Sequence, residues 1–226
     1  MTALLDQALA AIAEGAAALD REPRYPREAL AALGDAGVLT ATIGAGREGA
    51  PVDAEWELVR RVAAADASVG RILDGHLNAV ERLEVAAAPA VRDAELAKLE
   101  GGERVLGVWG ADPGGGEGPP ARIAPEGTLS GVKTFCSGAG GIDAALVMVG
   151  EDDGTPPRLV LVECDTTVEV DRDWYRAAGL RASESHRVSF NATPILAILG
   201  EPGELAREPW FSRDAMRTAA SWAGMV

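Results

Sequence analysis

The sequence predicts an α+β chain. An N-terminal all-α helical domain (residues 1–102) precedes an antiparallel β-barrel or sandwich domain (103–203), and the start of a C-terminal helical domain (204–226) comes last. Three observations carry this. Up to Gly102 the apolar residues recur at three- and four-residue steps, the period of a buried helix face. From Arg104 the period changes to two. The short runs beyond it are separated by Gly, Pro and Asp turns with no helix between them, which argues against a parallel sheet.

The helices come first. Leu5, Leu9, Ile12 and Leu19 fall on one face of a helix over residues 3–19. Pro23 and Pro26 break it, and Pro26 suits the first position of a second helix, 27–36, with Leu30 and Leu33 inward and Gly37 as its stop. A glycine-rich loop, 44–49, leads to Asp53, which is expected to cap a third helix carrying Trp56, Val59 and Val62 on one face. Asp66 or Ser68 opens a fourth, on Ile72, Leu73, Val80 and Leu83, and a fifth spans 89–99 and ends at Gly101-Gly102.

Strands are expected at 105–110, 121–124, 128–137, 144–149, 158–164, 168–171, 187–191 and 195–199, with turns such as Glu151-Asp152-Asp153-Gly154 and Glu201-Pro202-Gly203. The run from Val105 to Gly150 organises the rest. Its first strand opens into Asp112-Pro113-Gly114-Gly115-Gly116, where little side-chain bulk keeps a ligand from the backbone. Its second carries Lys133-Thr134-Phe135-Cys136-Ser137, which alternates like a half-buried strand. Together they suggest two sheet edges flanking a flat, polar-rimmed ligand. After Pro209-Trp210-Phe211, an Ala-rich helix from Ser212 is still running at Val226, with Met216, Ala220 and Trp222 uncovered, so the sequence looks unfinished.

The chain has 226 residues, 47% hydrophobic and 25% charged, enough for one large or two small domains. A net charge of −14 argues against nucleic-acid partners and anionic membrane surfaces. No apolar run approaches the roughly 20 residues of a membrane helix, and the N-terminus does not read as a signal peptide. Cys136 and Cys164 read as free thiols of a reducing compartment with no metal-ligand spacing, so the expected location is cytoplasmic. His76 lies one helical turn from Ile72 and from Val80 and reads as structural; His186 reads as shaping a strand.

Five stretches, in this order, resemble the acyl-CoA dehydrogenase family and its flavin-dependent monooxygenase relatives. They are Tyr25-Pro26-Arg27-Glu28-Ala29-Leu30, Ala65-Asp66-Ala67-Ser68-Val69-Gly70, Ala111-Asp112-Pro113-Gly114-Gly115-Gly116, Gly131-Val132-Lys133-Thr134-Phe135-Cys136-Ser137-Gly138 and Gly179-Leu180-Arg181-Ala182-Ser183-Glu184-Ser185-His186. The resemblance implies the family's helical and β-barrel domains, with the C-terminal four-helix bundle missing, and FAD as cofactor. Val108, Trp109, Gly110 and Ala111 would then run along the flavin's pyrimidine side, near Gly116 of the glycine turn. Phe135 would stack near the ring, and Ser137 would offer a hydroxyl. An aromatic face with backbone donors suits a planar, partly anionic heterocycle. The bland alternative makes Phe135 core filler.

Departures bear on the reaction. Ala111-Asp112-Pro113 stands where dehydrogenases usually have Thr-Glu-Pro, and Gly116-Glu117-Gly118 where they have Gly-Ser-Asp. Glu117 thus occupies the substrate position, and Arg181 could meet a CoA phosphate or an acidic neighbour. The family's catalytic glutamate belongs to the bundle, and Asp112 and Glu117 sit in a turn with nothing to raise their basicity. The main reading is an FAD-dependent acyl-CoA dehydrogenase-like oxidoreductase whose chain alone is inactive. The alternatives are a monooxygenase of the same fold or a non-catalytic binding module. An acyl-CoA or other small molecule is the expected substrate, and the chain is expected to form homo-oligomers or to pair through its last helix.

Overall fold

The computed structural model describes residues 2–44, 52–102, 104–150 and 154–226. The loop expected at 44–49 (beyond Gly44) and the turn residues 151–153 lie outside them. Five helices come first: α1 (Thr2–Arg21), α2 (Arg27–Asp35), α3 (Asp53–Ala65), α4 (Ala67–Ala86) and α5 (Pro89–Glu100). Asp66 caps α4 by accepting the Val69 N–H at 2.9 Å. Asp53 does not cap α3: Val52 holds the cap position and Asp53 is the first helical residue, where its charge still favours the positive helix end. Among the described residues, no helix is long and apolar enough to cross a membrane.

Eight strands come next: β1 (Leu106–Trp109), β2 (Arg122–Ile123), β3 (Thr128–Cys136), β4 (Ala144–Val149), β5 (Arg158–Glu163), β6 (Val168–Asp171), β7 (His186–Pro194) and β8 (Ala197–Leu199). They form two sheets, β1-β4-β5-β8 and β2-β3-β7-β6. β1 and β4 pair in parallel, a departure from the all-antiparallel expectation, because β2 and β3 intervene in the other sheet and provide the crossover. The first sheet is covered on both faces. Ala145, Val147, Val160 and Val162 join Val188 and Phe190 of the second sheet in one core, while Leu146, Leu159 and Leu161 meet Val80 and Leu83 of α4 in another. Alternate residues therefore serve different cores, which is why β4 and β5 are continuously apolar.

His76 fastens the helices to the first sheet. It is fully buried; its Nδ1 accepts the Leu106 N–H at 3.0 Å and its Nε2 lies 2.8 Å from the Leu39 carbonyl oxygen. A carbonyl only accepts, so Nε2 carries the proton and the ring is neutral. Burial pushes its pKa down to about 4, the Leu39 bond opposing only in part.

The last helix, α6 (Trp210–Gly224), starts two residues earlier than expected. It docks by its polar face. Arg217, fully buried, pairs with Glu55 of α3, with Glu81 of α4 at 3.1 Å and with Asp214 at 3.1 Å, while Arg213 reaches Glu81 at 2.8 Å. Burial opposes the Arg217 charge, and the Glu55 and Glu81 carboxylates outweigh it, so its pKa stands above the ordinary value. Met216 and Trp222 face outward, as expected, 50% and 63% exposed, whereas Ala220 is half-buried.

Both buried polar centres can be tested by unfolding. Replacing Arg217 by Met leaves Glu55 and Glu81 buried without their main counter-charge and should cost about 3–5 kcal/mol in urea unfolding; a loss under about 1 kcal/mol contradicts the pairing. For His76, the unfolded ring takes up a proton near pH 6.5 that the folded ring refuses until about pH 4. Its contribution is full above pH 6.5 and declines as pH falls through that window, by about 3 kcal/mol in all. Unfolding measured at pH 7 and pH 4.5 should show a steeper acid loss in the native chain than in His76→Gln; equal losses refute it.

Candidate functional site

The two segments singled out in the sequence do meet. The Thr134 N–H donates to the Ala111 carbonyl at 3.0 Å and Thr134 Oγ1 to the Asp112 carbonyl at 3.2 Å. Lys133 Nζ donates to the Gly110 carbonyl at 3.1 Å and to Asp112 Oδ1 at 2.7 Å. The end of β1 and the end of β3 are bonded to each other rather than parted as the walls of a slot, so together they form one continuous surface.

Phe135 is the conspicuous residue on that surface. β3 advances three residues between Lys133 and Cys136 while β7 advances two between Val188 and His186, a one-residue bulge. Phe135 sits in it at φ 52°, in the left-handed region, with its side chain 60% exposed. Its ring stands edge-on to Trp174, with centroids 4.8 Å apart. Phe135 is therefore not core filler. It is an open aromatic face held in a backbone conformation that costs an ordinary residue about 1–2 kcal/mol.

Ser137 lies just beyond. The Trp109 Nε1–H donates to its carbonyl at 3.1 Å, and the neighbouring Gly138 N–H donates to the Ser183 carbonyl at 2.7 Å. Gly138 has φ 77°, and a Cβ there would lie 2.6 Å from the Ile142 side chain, so any other residue is strained and must displace Ile142. The Ser137 hydroxyl is 2.9 Å from that of Ser185, which is 2.8 Å from that of Ser183; Ser183 Oγ in turn donates to the Leu180 carbonyl at 2.7 Å. Ser183 lies in the 3₁₀ turn Arg181–Ser183. The sequence pattern does not announce this chain of hydroxyls, although Ser183 and Ser185 lie within a stretch that carries the resemblance; their i, i+2 spacing is its one visible sign.

The remaining expected site residues divide between the surface and the interior. Val108 and Gly110 are half-buried and Ala111 is exposed. The Trp109 side chain is buried against Phe190, ring centroids 6.2 Å apart. Gly116 is exposed, with φ 88° and open space about it. The Glu117 carboxylate is occupied: Oε1 accepts the Trp174 Nε1–H at 2.7 Å and Oε2 the Gly114 N–H at 2.8 Å, and these bonds hold its pKa below the usual carboxylate range. Glu117 thereby holds Trp174, the ring partner of Phe135. Arg181 is exposed and its Nη1 donates to the Asp20 carbonyl at 2.9 Å, tying the turn to α1. The two thiols are free, Cys136 within β3 and Cys164 just past β5, and burial pushes the Cys164 pKa up to about 12.

No family model matches this sequence, and no curated protein matches it. Solved structures do match its fold. FMN-bound TdsC from Paenibacillus sp. A11-2, a dibenzothiophene monooxygenase, superposes with a TM-score of 0.83 at 21% identity over 98% of this chain and 60% of that one. Methanesulfinate monooxygenase MsuC from Pseudomonas fluorescens gives 0.77 at 18% identity over 98% and 59%. KijD3, in complex with FMN and a dTDP-linked amino-keto sugar, gives 0.75 at 25% identity over 99% and 60%. The fold is that of the helical and β domains of acyl-CoA dehydrogenase-like flavin monooxygenases. The chain spans about 60% of the length of the structures it matches.

Strain at Phe135 is directly measurable. Phe135→Gly should be more stable than Phe135→Ala by about 1 kcal/mol, since glycine alone adopts positive φ without a penalty. The opposite order in thermal or urea unfolding means that the residue is not in the left-handed region.

Proposed function

We propose that this chain is the flavin-binding part of a flavin-dependent monooxygenase of the acyl-CoA dehydrogenase fold, taking FMN on the surface formed by Val108, Gly110, Ala111, Phe135 and Ser137. The observation that carries the reading is Phe135, an exposed ring held in strained backbone beside a hydroxyl and braced by Trp174. Strain of this kind persists where the surrounding structure over-determines it, and it gathers at ligand sites. The residues present fit a flat heterocycle: an aromatic face, a hydroxyl, and a nearly side-chain-free strand end.

FMN replaces the FAD that the sequence resemblance implies, because TdsC and KijD3 are both known with FMN bound. The monooxygenase alternative likewise displaces the dehydrogenase reading. TdsC and MsuC are named as monooxygenases, and Glu117, at the expected substrate position, is engaged by Trp174 and Gly114. Bound flavin would supply two-electron redox chemistry and activation of oxygen. The chain's own residues would bind and orient the ring. Indole and a dTDP-sugar accompany the relatives in their structures, so a small-molecule substrate belongs to this proposal, as does completion of the site by further chain of the kind the relatives possess.

The test is a titration of the purified chain with FMN, monitored by flavin fluorescence. Binding should be saturable, and Phe135→Ala should weaken it by about 1–3 kcal/mol, the scale of aromatic stacking on a base-sized ring. Unchanged affinity in that variant removes Phe135 from the site; absence of saturable binding in the native chain removes the flavin.

A further inference from the structure

A groove of about 580 Å³ lies at the other end of β1. The proposed flavin surface is at the exit of that strand, whereas the groove is lined by Val105, just ahead of its first residue. Its size falls within the range of ordinary small-molecule sites, about 300–1,000 Å³. Leu30 of α2, Leu39 and Leu99 of α5 line it and are buried, which gives it an apolar floor. Gly34 of α2 keeps it open. The position is helical and exposed, and a Cβ there would meet only Leu39, at 3.5 Å.

Two opposite charges line this groove without meeting. The Arg27 guanidinium sits over the Tyr25 ring, 5.5 Å from its centroid, and among the described residues it has no hydrogen bond and no ion pair. Asp143 spends Oδ2 on the Val105 N–H at 2.6 Å, and its other oxygen accepts from no described donor. Both side chains are exposed, and both act on the same phenol. Burial raises the Tyr25 pKa most, Asp143 raises it further and Arg27 lowers it, so the two charges flank one ring. An unused guanidinium fork fits a carboxylate, and a half-used carboxylate fits an ammonium. Glu100, on the rim at the C-terminal end of α5, adds its own charge and the negative helix pole to the ammonium side. We propose that the groove binds a free α-amino acid with an apolar side chain, its carboxylate on Arg27, its ammonium on Asp143 and its side chain on the leucine floor. A zwitterion answers both charges at once, which an organic acid, an amine or a neutral oil does not. The inference goes beyond the flavin reading and does not rest on it.

The test is calorimetric titration of the 226-residue chain with L-leucine and L-phenylalanine. Three analogues of leucine are run beside them: isocaproate without the ammonium, isoamylammonium without the carboxylate, and glycine without the side chain. Each apolar amino acid should bind once and saturably, and each analogue at least about tenfold more weakly than leucine. Arg27→Gln should weaken leucine at least about tenfold and bring it within about threefold of isoamylammonium. Asp143→Asn keeps an acceptor for the Val105 N–H and should bring leucine within about threefold of isocaproate. Gly34→Leu fills the groove with a better helix former and should abolish binding of every ligand; if it fails to fold, the two charge variants decide. Isocaproate or isoamylammonium binding as tightly as leucine makes the groove a site for one charge and overturns the proposal. So does leucine binding that ignores both charge variants, survives Gly34→Leu, or is absent from the native chain. Displacement of leucine by FMN puts it on the flavin surface and overturns the proposal as well. A chain that binds leucine but not FMN removes the flavin reading and supports this one.

Discussion

Much of the architecture hangs on one buried imidazole. His76 comes from the middle of α4, yet both of its nitrogens serve other segments, the backbone after α2 and the first residue of β1. A strand laid on a helix normally slides and tilts within a few ångströms, because apolar contacts have no direction. A ring bonded at both nitrogens gives that interface a fixed register. β1 then becomes the reference for the next links of the chain: Trp109, three residues past Leu106, donates to the Ser137 carbonyl, and Ser137 is held through Gly138 to the turn at Ser183. The helical layer thus positions the candidate site at a distance, through a path of directed bonds.

The other directed interface is at the opposite end of the chain, and it inverts the usual rule. An amphipathic helix ordinarily buries its apolar stripe. α6 instead buries Arg217 and Ser221 and leaves Met216 and Trp222 to solvent. Buried charges are weak sources of net stability but strong sources of specificity, since a misplaced helix would strand Glu55 and Glu81 without cations. With its polar face already committed to α3 and α4, the helix keeps its apolar residues outward as a consequence of docking.

Much of this is legible in the residues. Helices and strands fall at the expected places because their cores impose clean periods: alternation in β4 and β5 sorts residues between two cores, and the α4 pattern matches the sheet it covers. The failures are physical in kind. The parallel pairing of β1 with β4 depends on which strands intervene in the other sheet, and no local pattern records that. Glu117 is set at the substrate position only by the resemblance, which aligns its turn with Gly-Ser-Asp; that Trp174 reaches it from 57 residues away is tertiary information. The Asp53 cap is displaced by a single residue, within the usual ambiguity of helix ends.

β3 shows how sequence rules and site separate. Its pattern implies a regular half-buried strand, yet its one charged residue, Lys133, is fully buried and its one aromatic, Phe135, is exposed. Lys133 can be buried because Asp112 and the Gly110 carbonyl meet its ammonium at hydrogen-bonding distance. That pairing holds the end of β1 against β3 just before the bulge, and the bulge then turns Phe135 outward at positive φ. Neither feature is favourable alone: a buried lysine loses hydration, and a phenylalanine at φ 52° gives up both backbone ease and burial. Each is the condition for the other, since the pinned lysine fixes where the extra residue of the bulge must fall. A fold selected only for stability would place an apolar residue at 133 and a glycine at 135. That this one does not is the reason to look for a ligand on the Phe135 face.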